Sequence, residues 1–148
     1  MKSFLVLLFA LVSVAQAATT YTARGSPGGT AFTDTVSFVA TPAYTSYTLA
    51  VQSAVTLNSA GHLKWAVLPS APVLTDSAGN IIPTTWTHVR KAVTPTGEAT
   101  NRGIDLDSYV SNSIFGLAPG TTYYFTVPGT GYDPDGGDVS YFVHLAAE

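Results

Sequence analysis

Apolar and polar side chains alternate along much of this chain. Large apolar residues occupy every second position in the stretches 47–51, 63–67 and 139–145, with mostly polar or small residues between them. Successive side chains of a β-strand point to opposite faces, so a period of two indicates a strand with one face in a core. The pattern therefore predicts strands over these three stretches.

Shorter apolar runs predict further strands at 36–39, 55–57, 73–75, 86–89, 104–106 and 123–127. Turn-forming residues separate the runs at 26–29, 58–61, 76–80, 119–120 and 134–137. Glycine and asparagine tolerate a positive φ there, and proline ends a strand. Many short strands without an amphipathic helix predict an all-β fold, a single antiparallel β-sandwich over 32–148.

Two stretches depart from the alternation. Residues 18–31 are rich in threonine and glycine, which predicts a flexible N-terminal arm or else a strand that awaits an edge to pair with. Residues 91–103 contain Pro95, Gly97 and Gly103, which predict a long surface loop.

The N-terminus has the pattern of a signal peptide. Lys2 precedes the apolar run 4–12, and Ala15-Gln16-Ala17 supplies the small residues that a signal peptidase needs. The run is too short to span a bilayer as a stable helix. We expect a signal peptide over 1–17, cleaved after Ala17, with a retained N-terminal anchor as the alternative. Cleavage predicts a secreted protein (periplasmic, extracellular or cell-surface) with no membrane span.

Composition narrows the classes of function. The chain has no cysteine, which excludes thiol catalysis, thiolate zinc sites and disulfide frameworks. Only 10% of the residues are charged and the formal net charge is −3, so no basic patch is available for nucleic acid. Low charge also weakens the repulsion between copies, which favours self-association through sheet edges or faces.

A local motif spans 116–127, with the sequence GLAPGTTYYFTV. Leu117 ends one strand, Pro119-Gly120 reverses the chain, and a tyrosine begins the next strand. Such a tyrosine can return its hydroxyl to the turn backbone while its ring stays in the core. The segment resembles the corner of fibronectin type III (FnIII) and related domains.

In order and spacing, most of the chain also resembles the bacterial pre-peptidase C-terminal (PPC) type of domain, a small jelly-roll-like sandwich of exported proteins. The resemblance is carried by 34–39, 47–51, 74–82, 120–127 and 141–145. The loop 91–103 is longer than this pattern asks for. The two resemblances imply a jelly-roll or Ig/FnIII-like sandwich and a non-catalytic module for binding, secretion or assembly.

The acidic loop at 133–138 is a candidate metal site. Asp133, Asp135 and Asp138 lie within six residues of a glycine-rich turn, and carboxylates that converge in this way suit calcium, the one cofactor that the sequence suggests. The alternative is a solvated hairpin loop in which the aspartates cap turns.

Other residues gave weaker candidates for chemistry. Asp105 and Asp107 would share one face of a strand. Paired carboxylates can catalyse glycoside hydrolysis or act as additional calcium ligands. The alternative is that they lie on an exposed strand face without a chemical role. The histidines His62, His88 and His144 are scattered, which argues against a copper or zinc triad. No GxSxG elbow occurs, and we expect a protein that is not an enzyme.

Aromatic residues are numerous, with 8 tyrosines and 2 tryptophans. If the strands alternate, these rings cannot all face inward, and an outward row would stack on sugar rings or against another subunit. Trp86, Tyr109 and Tyr132 are the candidate ligand-binding residues. The alternative is that most of the rings fill a thick core.

These observations predict a secreted, non-catalytic module with a structural, adhesive or assembly role at or outside the cell surface. Its expected partner is an extracellular protein, a polysaccharide or a second copy of itself. The alternative function is a carbohydrate-binding module, supported by calcium.

Overall fold

The computed structural model describes residues 15–93 and 104–148. Its regular structure is β throughout, with no helix among the described residues, so the predicted all-β class is confirmed. The strands are β1 (Ala15–Ser26), β2 (Thr30–Val39), β3 (Ser46–Ser53), β4 (Val55–Leu57), β5 (Leu63–Val67), β6 (Val73–Thr75), β7 (Trp86–Val93), β8 (Ile104–Ser111), β9 (Ile114–Phe115), β10 (Thr122–Tyr132) and β11 (Asp138–Ala147).

Hydrogen-bonded ladders join these strands into one sheet with two halves. In the back half, β11 lies between β1 and β3, and the sheet continues from β3 through β8 to β7, with β9 also on β3. In the front half, β10 pairs with β2 and with β5 and β6, and β4 pairs with β5.

Strand β1 connects the two halves. It runs antiparallel to β11 as far as Arg24, and then Gly25 and Ser26 pair in parallel with Gly131 and Tyr132 of β10. The sheet is therefore mixed, whereas the sequence predicted a purely antiparallel one.

Two glycines allow this crossing. A Cβ on Gly131 would lie 2.4 Å from the carbonyl oxygen of Arg24, and a Cβ on Gly25 would lie 2.9 Å from the Cβ of Asp133. Real side chains do not fit at such distances, so only glycine permits the close approach of β1 to β10.

Inward side chains of the two halves meet in a single core. The ring of Phe38 on β2 lies 5.4 Å from that of Tyr47 on β3, and the Tyr141 hydroxyl on β11 donates a 2.7 Å hydrogen bond to Asp34 on β2. Tyr141 is also the largest fully buried side chain, and Phe32 stacks on its ring. This arrangement is consistent with the predicted sandwich, and it turns the opposite face of each half toward solvent.

The structure corrects two predictions about irregular segments. Residues 18–31 are not a flexible arm, because they form most of β1 and the start of β2, and Tyr21 and Ala23 pack on the core. Of the predicted loop 91–103, residues 91–93 continue strand β7 opposite β8. Residues 94–103 lie outside the described residues.

The predicted signal peptide lies mostly outside the described residues, and its last three residues begin β1. Its cleavage stays a prediction. In the part of the chain that the structure describes, no helix has the length and apolar character needed to cross a membrane.

Candidate functional site

The acidic loop forms the turn between β10 and β11, and Asp133 organises it. The Asp133 side chain is buried, at 1% exposure. Its Oδ1 accepts the N–H of Asp135 at 2.9 Å, and its Oδ2 accepts the N–H of Gly137 at 3.1 Å. The Asn58 side-chain amide also donates to Oδ1, at 2.9 Å. Asp133 therefore caps its own turn and ties it to the loop after β4.

These contacts set the ionisation of Asp133. Burial raises its pKa, but the hydrogen bonds from Asp135, Asn58 and Gly137, together with the charge of Lys64, outweigh burial and hold the pKa below its usual range. The carboxylate is thus charged at neutral pH and engaged by donors within the protein.

Of the other two predicted calcium ligands, Asp135 lies beside Asp133, and Asp138 has a different partner. The Asn58 amide nitrogen that donates to Oδ1 of Asp133 also donates to Oδ2 of Asp135, which lies 2.9 Å from Nδ1 of His62. Asp138 lies on the outer side of β11, with its Oδ1 3.8 Å from Nη1 of Arg24. Among the described residues, no group of three or more His, Asp or Glu side chains could hold a metal ion. Calcium binding stays a prediction of the sequence pattern.

The aromatic candidates have three different environments. Tyr109 is buried at 5% exposure, its ring stacks on His88 at 4.3 Å, and its hydroxyl donates to the carbonyl oxygen of Leu68. Because Tyr109 faces the core, the expectation that it offers an exposed ring is wrong. Trp86 is half-buried and packs against the core. Tyr132 lies on the outer side of β10, where its ring stacks on Trp65 at 5.2 Å.

Asp107 is also inward, at 1% exposure. Its Oδ1 accepts hydrogen bonds from Nε2 of His88 at 2.8 Å and Nε of Arg90 at 3.0 Å. The carboxylate therefore holds β7 against β8. Asp107 does not lie on an exposed strand face, and the side chain of Asp105 is outside the described part of the structure.

The three histidines lie apart, on the loop after β4, on β7 and on β11. Burial lowers the pKa of His144 on β11, which favours its neutral form. His62 and His88 each contact a different carboxylate. Their separation agrees with the scattered spacing in the sequence.

The outer side of the front half, here called the front face, is an open surface built from alternate residues of five strands. The intervening residues Phe38, Ala66, Leu74, Phe125 and Val127 point into the core. The front face consists of Thr33, Thr35, Ser37 and Val39 of β2, Val55 and Leu57 of β4, Leu63, Trp65 and Val67 of β5, Val73 and Thr75 of β6, and Thr122, Tyr124, Thr126, Pro128, Thr130 and Tyr132 of β10.

No acidic or basic residue belongs to the front face as defined. Its polar groups are the hydroxyls of threonine, serine and tyrosine, and its apolar groups include Trp65 and several aliphatic side chains. The outer side of the back half, the back face, differs because it carries Arg24, Asp138, Lys91 and His144.

Tyr132 is fixed in place on the front face. A Cβ on Gly29, in the turn between β1 and β2, would lie 2.7 Å from Cε1 of Tyr132, so the ring rests directly on that glycine. The ring of Tyr132 also stacks on that of Trp65. This pair is the stacked aromatic part of the surface.

Sequence reasoning missed the front face because it searched for residues that are present, such as carboxylates, histidines and aromatic rings. The available signal was an absence: no charged residue occurs at alternate positions in 33–39 and 122–132, which form the two longest strands of the front face.

Comparison with known proteins identifies no family, since no protein-family model, curated protein or solved structure matches this chain.

Proposed function

We propose that this protein is a secreted, non-catalytic module with a structural or adhesive role outside the cell, and that it acts through its front face. The observation that carries the proposal is a broad sheet surface of hydroxyl, aromatic and aliphatic groups without an acidic or basic residue. Exposed surfaces of this composition are typical of binding sites, because the cores of interfaces are poor in charge and rich in aromatic residues.

The buried carboxylates that were candidates for catalysis or metal binding support the same proposal through their contacts. Asp107 is buried and engaged by His88 and Arg90, and Asp133 is engaged by turn N–H groups and Asn58. Both carboxylates have structural partners that account for them. The resemblance to PPC-like and FnIII-like modules also supports a role in binding or assembly.

An adhesion assay tests this function. The exported product of the full chain is coated on beads, and bead clustering and attachment to protein-coated and polysaccharide-coated surfaces are measured. We expect the beads to cluster or attach, and a Thr126→Lys substitution at the centre of the front face to abolish the effect. The matched variant Thr48→Lys, on the back face, should behave as the unchanged protein. Beads that neither cluster nor attach would contradict the proposal.

A carbohydrate-binding function is the second candidate, and the Trp65–Tyr132 pair favours it. Aromatic rings bordered by hydroxyl groups suit uncharged sugars, which combine apolar ring faces with hydroxyls. Affinity electrophoresis through a panel of neutral polysaccharides tests it, with Trp65→Ala as the variant and Phe142→Ala, on the back face, as the control. Retardation that depends on Trp65 would support this function, and chelator in the gel would reveal any need for calcium.

A further inference from the structure

We propose that the partner of the front face is a second copy of this chain, bound face to face about a twofold axis. This inference rests on the proposed function and names the partner for it. The sequence suggested self-association through sheet edges or faces, and this inference selects one face.

Charge is the first argument. In a twofold interface each residue near the axis meets its own copy, so any charge there is placed beside a like charge. The front face has no acidic or basic residue to create this repulsion. The back face would bring Arg24, Asp138 and Lys91 toward their own copies, and the front face is therefore the better surface for self-association.

Exposed apolar area is the second argument. The described residues include six large hydrophobic side chains that are exposed, and three of them belong to the front face: Val39 at 52%, Leu57 at 60% and Val73 at 43%. Packing against a second copy would remove these groups from water together with the outer parts of Trp65 and Tyr124.

The size of the surface suits a reversible dimer. The strands of the front face have 10 residues in β2, 3 in β4, 5 in β5, 3 in β6 and 11 in β10. At about 3.3 Å per residue and about 4.8 Å between strands, they offer a face of about 500 Å². Two such faces bury about 1,000 Å², which lies at the lower limit of specific protein interfaces.

Edge pairing is less favourable at β7, which pairs with β8 and with no other strand among the described residues. The strand carries Lys91 on its outer side, and a twofold pairing of β7 centred near Lys91 would bring two lysines together. Lysine and arginine on an edge strand oppose strand addition, so β7 is protected from the association that the front face permits.

Sedimentation velocity over a wide concentration range tests the proposal on the exported product of the full chain. We expect a monomer–dimer equilibrium for the unchanged protein. Thr126→Lys places a charge at the centre of the face and should weaken dimerisation by about 100-fold. The control Thr48→Lys should leave the equilibrium unchanged, and circular dichroism should show the same fold for all variants.

Charge complementation makes the test specific for a symmetric interface. Thr126→Lys and Thr126→Glu should each be monomeric alone, and their equimolar mixture should form a heterodimer. A monomeric unchanged protein, or dimers that Thr48→Lys disrupts and Thr126→Lys does not, would overturn the inference. If the beads attach to a polysaccharide while the protein stays monomeric, the face binds a glycan: this inference fails and the proposed module function survives.

Discussion

Tyr123 shows how a single hydroxyl joins a turn to the core. Its ring is buried at 5% exposure, and its hydroxyl accepts the N–H of Ala118 at 2.8 Å. We expect Tyr123→Phe to lower the free energy of unfolding by about 1 kcal/mol, because one hydrogen bond is lost and the ring stays in place. Urea denaturation measures the change. Tyr124→Phe is the control, since no described residue bonds the Tyr124 hydroxyl, and an equal loss in both variants would contradict the prediction.

Asp133 gives stability that depends on pH. Its pKa is held below the usual range in the folded protein, so its contribution is present above the unfolded value of about 3.9 and is lost as the pH falls through the folded value. We therefore expect Asp133→Asn to cost about 1–3 kcal/mol at neutral pH and progressively less below about pH 3.9.

Urea denaturation at several pH values measures this difference. Asp138→Asn is the matched control, because the ion pair of Asp138 with Arg24 is exposed and long, at 3.8 Å. We expect this substitution to change the free energy of unfolding little at any pH. If the loss of unfolding free energy caused by Asp133→Asn were the same at neutral pH and well below about pH 3.9, the charge of Asp133 would not be the source of its stabilising effect.

At this scale, local contacts could be predicted and distant ones could not. The Tyr123 hydroxyl bonds a residue five positions away, and the motif around Pro119-Gly120 was enough to predict it. The turn-capping alternative for Asp133 was also open from the sequence. Its bond to Asn58 joins residues 75 positions apart, and no local pattern reveals such a partner.

Among the elements, the crossing of β1 onto β10 depends on Gly131. Because a Cβ there would lie 2.4 Å from the Arg24 carbonyl oxygen, we expect Gly131→Ala to separate the two strands and cost about 3 kcal/mol or more. Gly28→Ala is the control, since no atom lies within 4 Å of a Cβ at that position. Thermal denaturation of both variants measures the effect, and similar midpoints would show that the close approach is unimportant.

The three short strands β4, β5 and β6 were predicted with their correct limits, and the longer strands were predicted too short. Strand β7 was predicted too short, because residues 87–91 are exposed on both sides of the strand and show no period. Strand β1 was predicted only as an alternative to a flexible arm, because its threonine, alanine and glycine residues show little alternation of apolar and polar side chains. Its hydrogen bonds with β11 stabilise the extended conformation, and the local sequence does not reveal this partner.

For the whole molecule, the uncharged front face predicts an unusual response to salt. We expect the dimer dissociation constant to change by less than about twofold between about 50 mM and about 500 mM sodium chloride, because no ionic contact is screened. Sodium sulfate should strengthen the dimer, since it favours burial of apolar surface. Sedimentation equilibrium measures both responses, and a steep weakening with sodium chloride would indicate charged contacts instead.

The pairing of β1 with β11 also sets an order of events during synthesis. Of the eleven described strands, β1 leaves the ribosome first, and the strand that covers its edge in the back half, from Ala15 opposite Ala147 to Arg24 opposite Asp138, leaves it last. The edge of β1 therefore stays uncovered until the nine strands between them have been made. Completion of the back half is thus delayed until β11 is available.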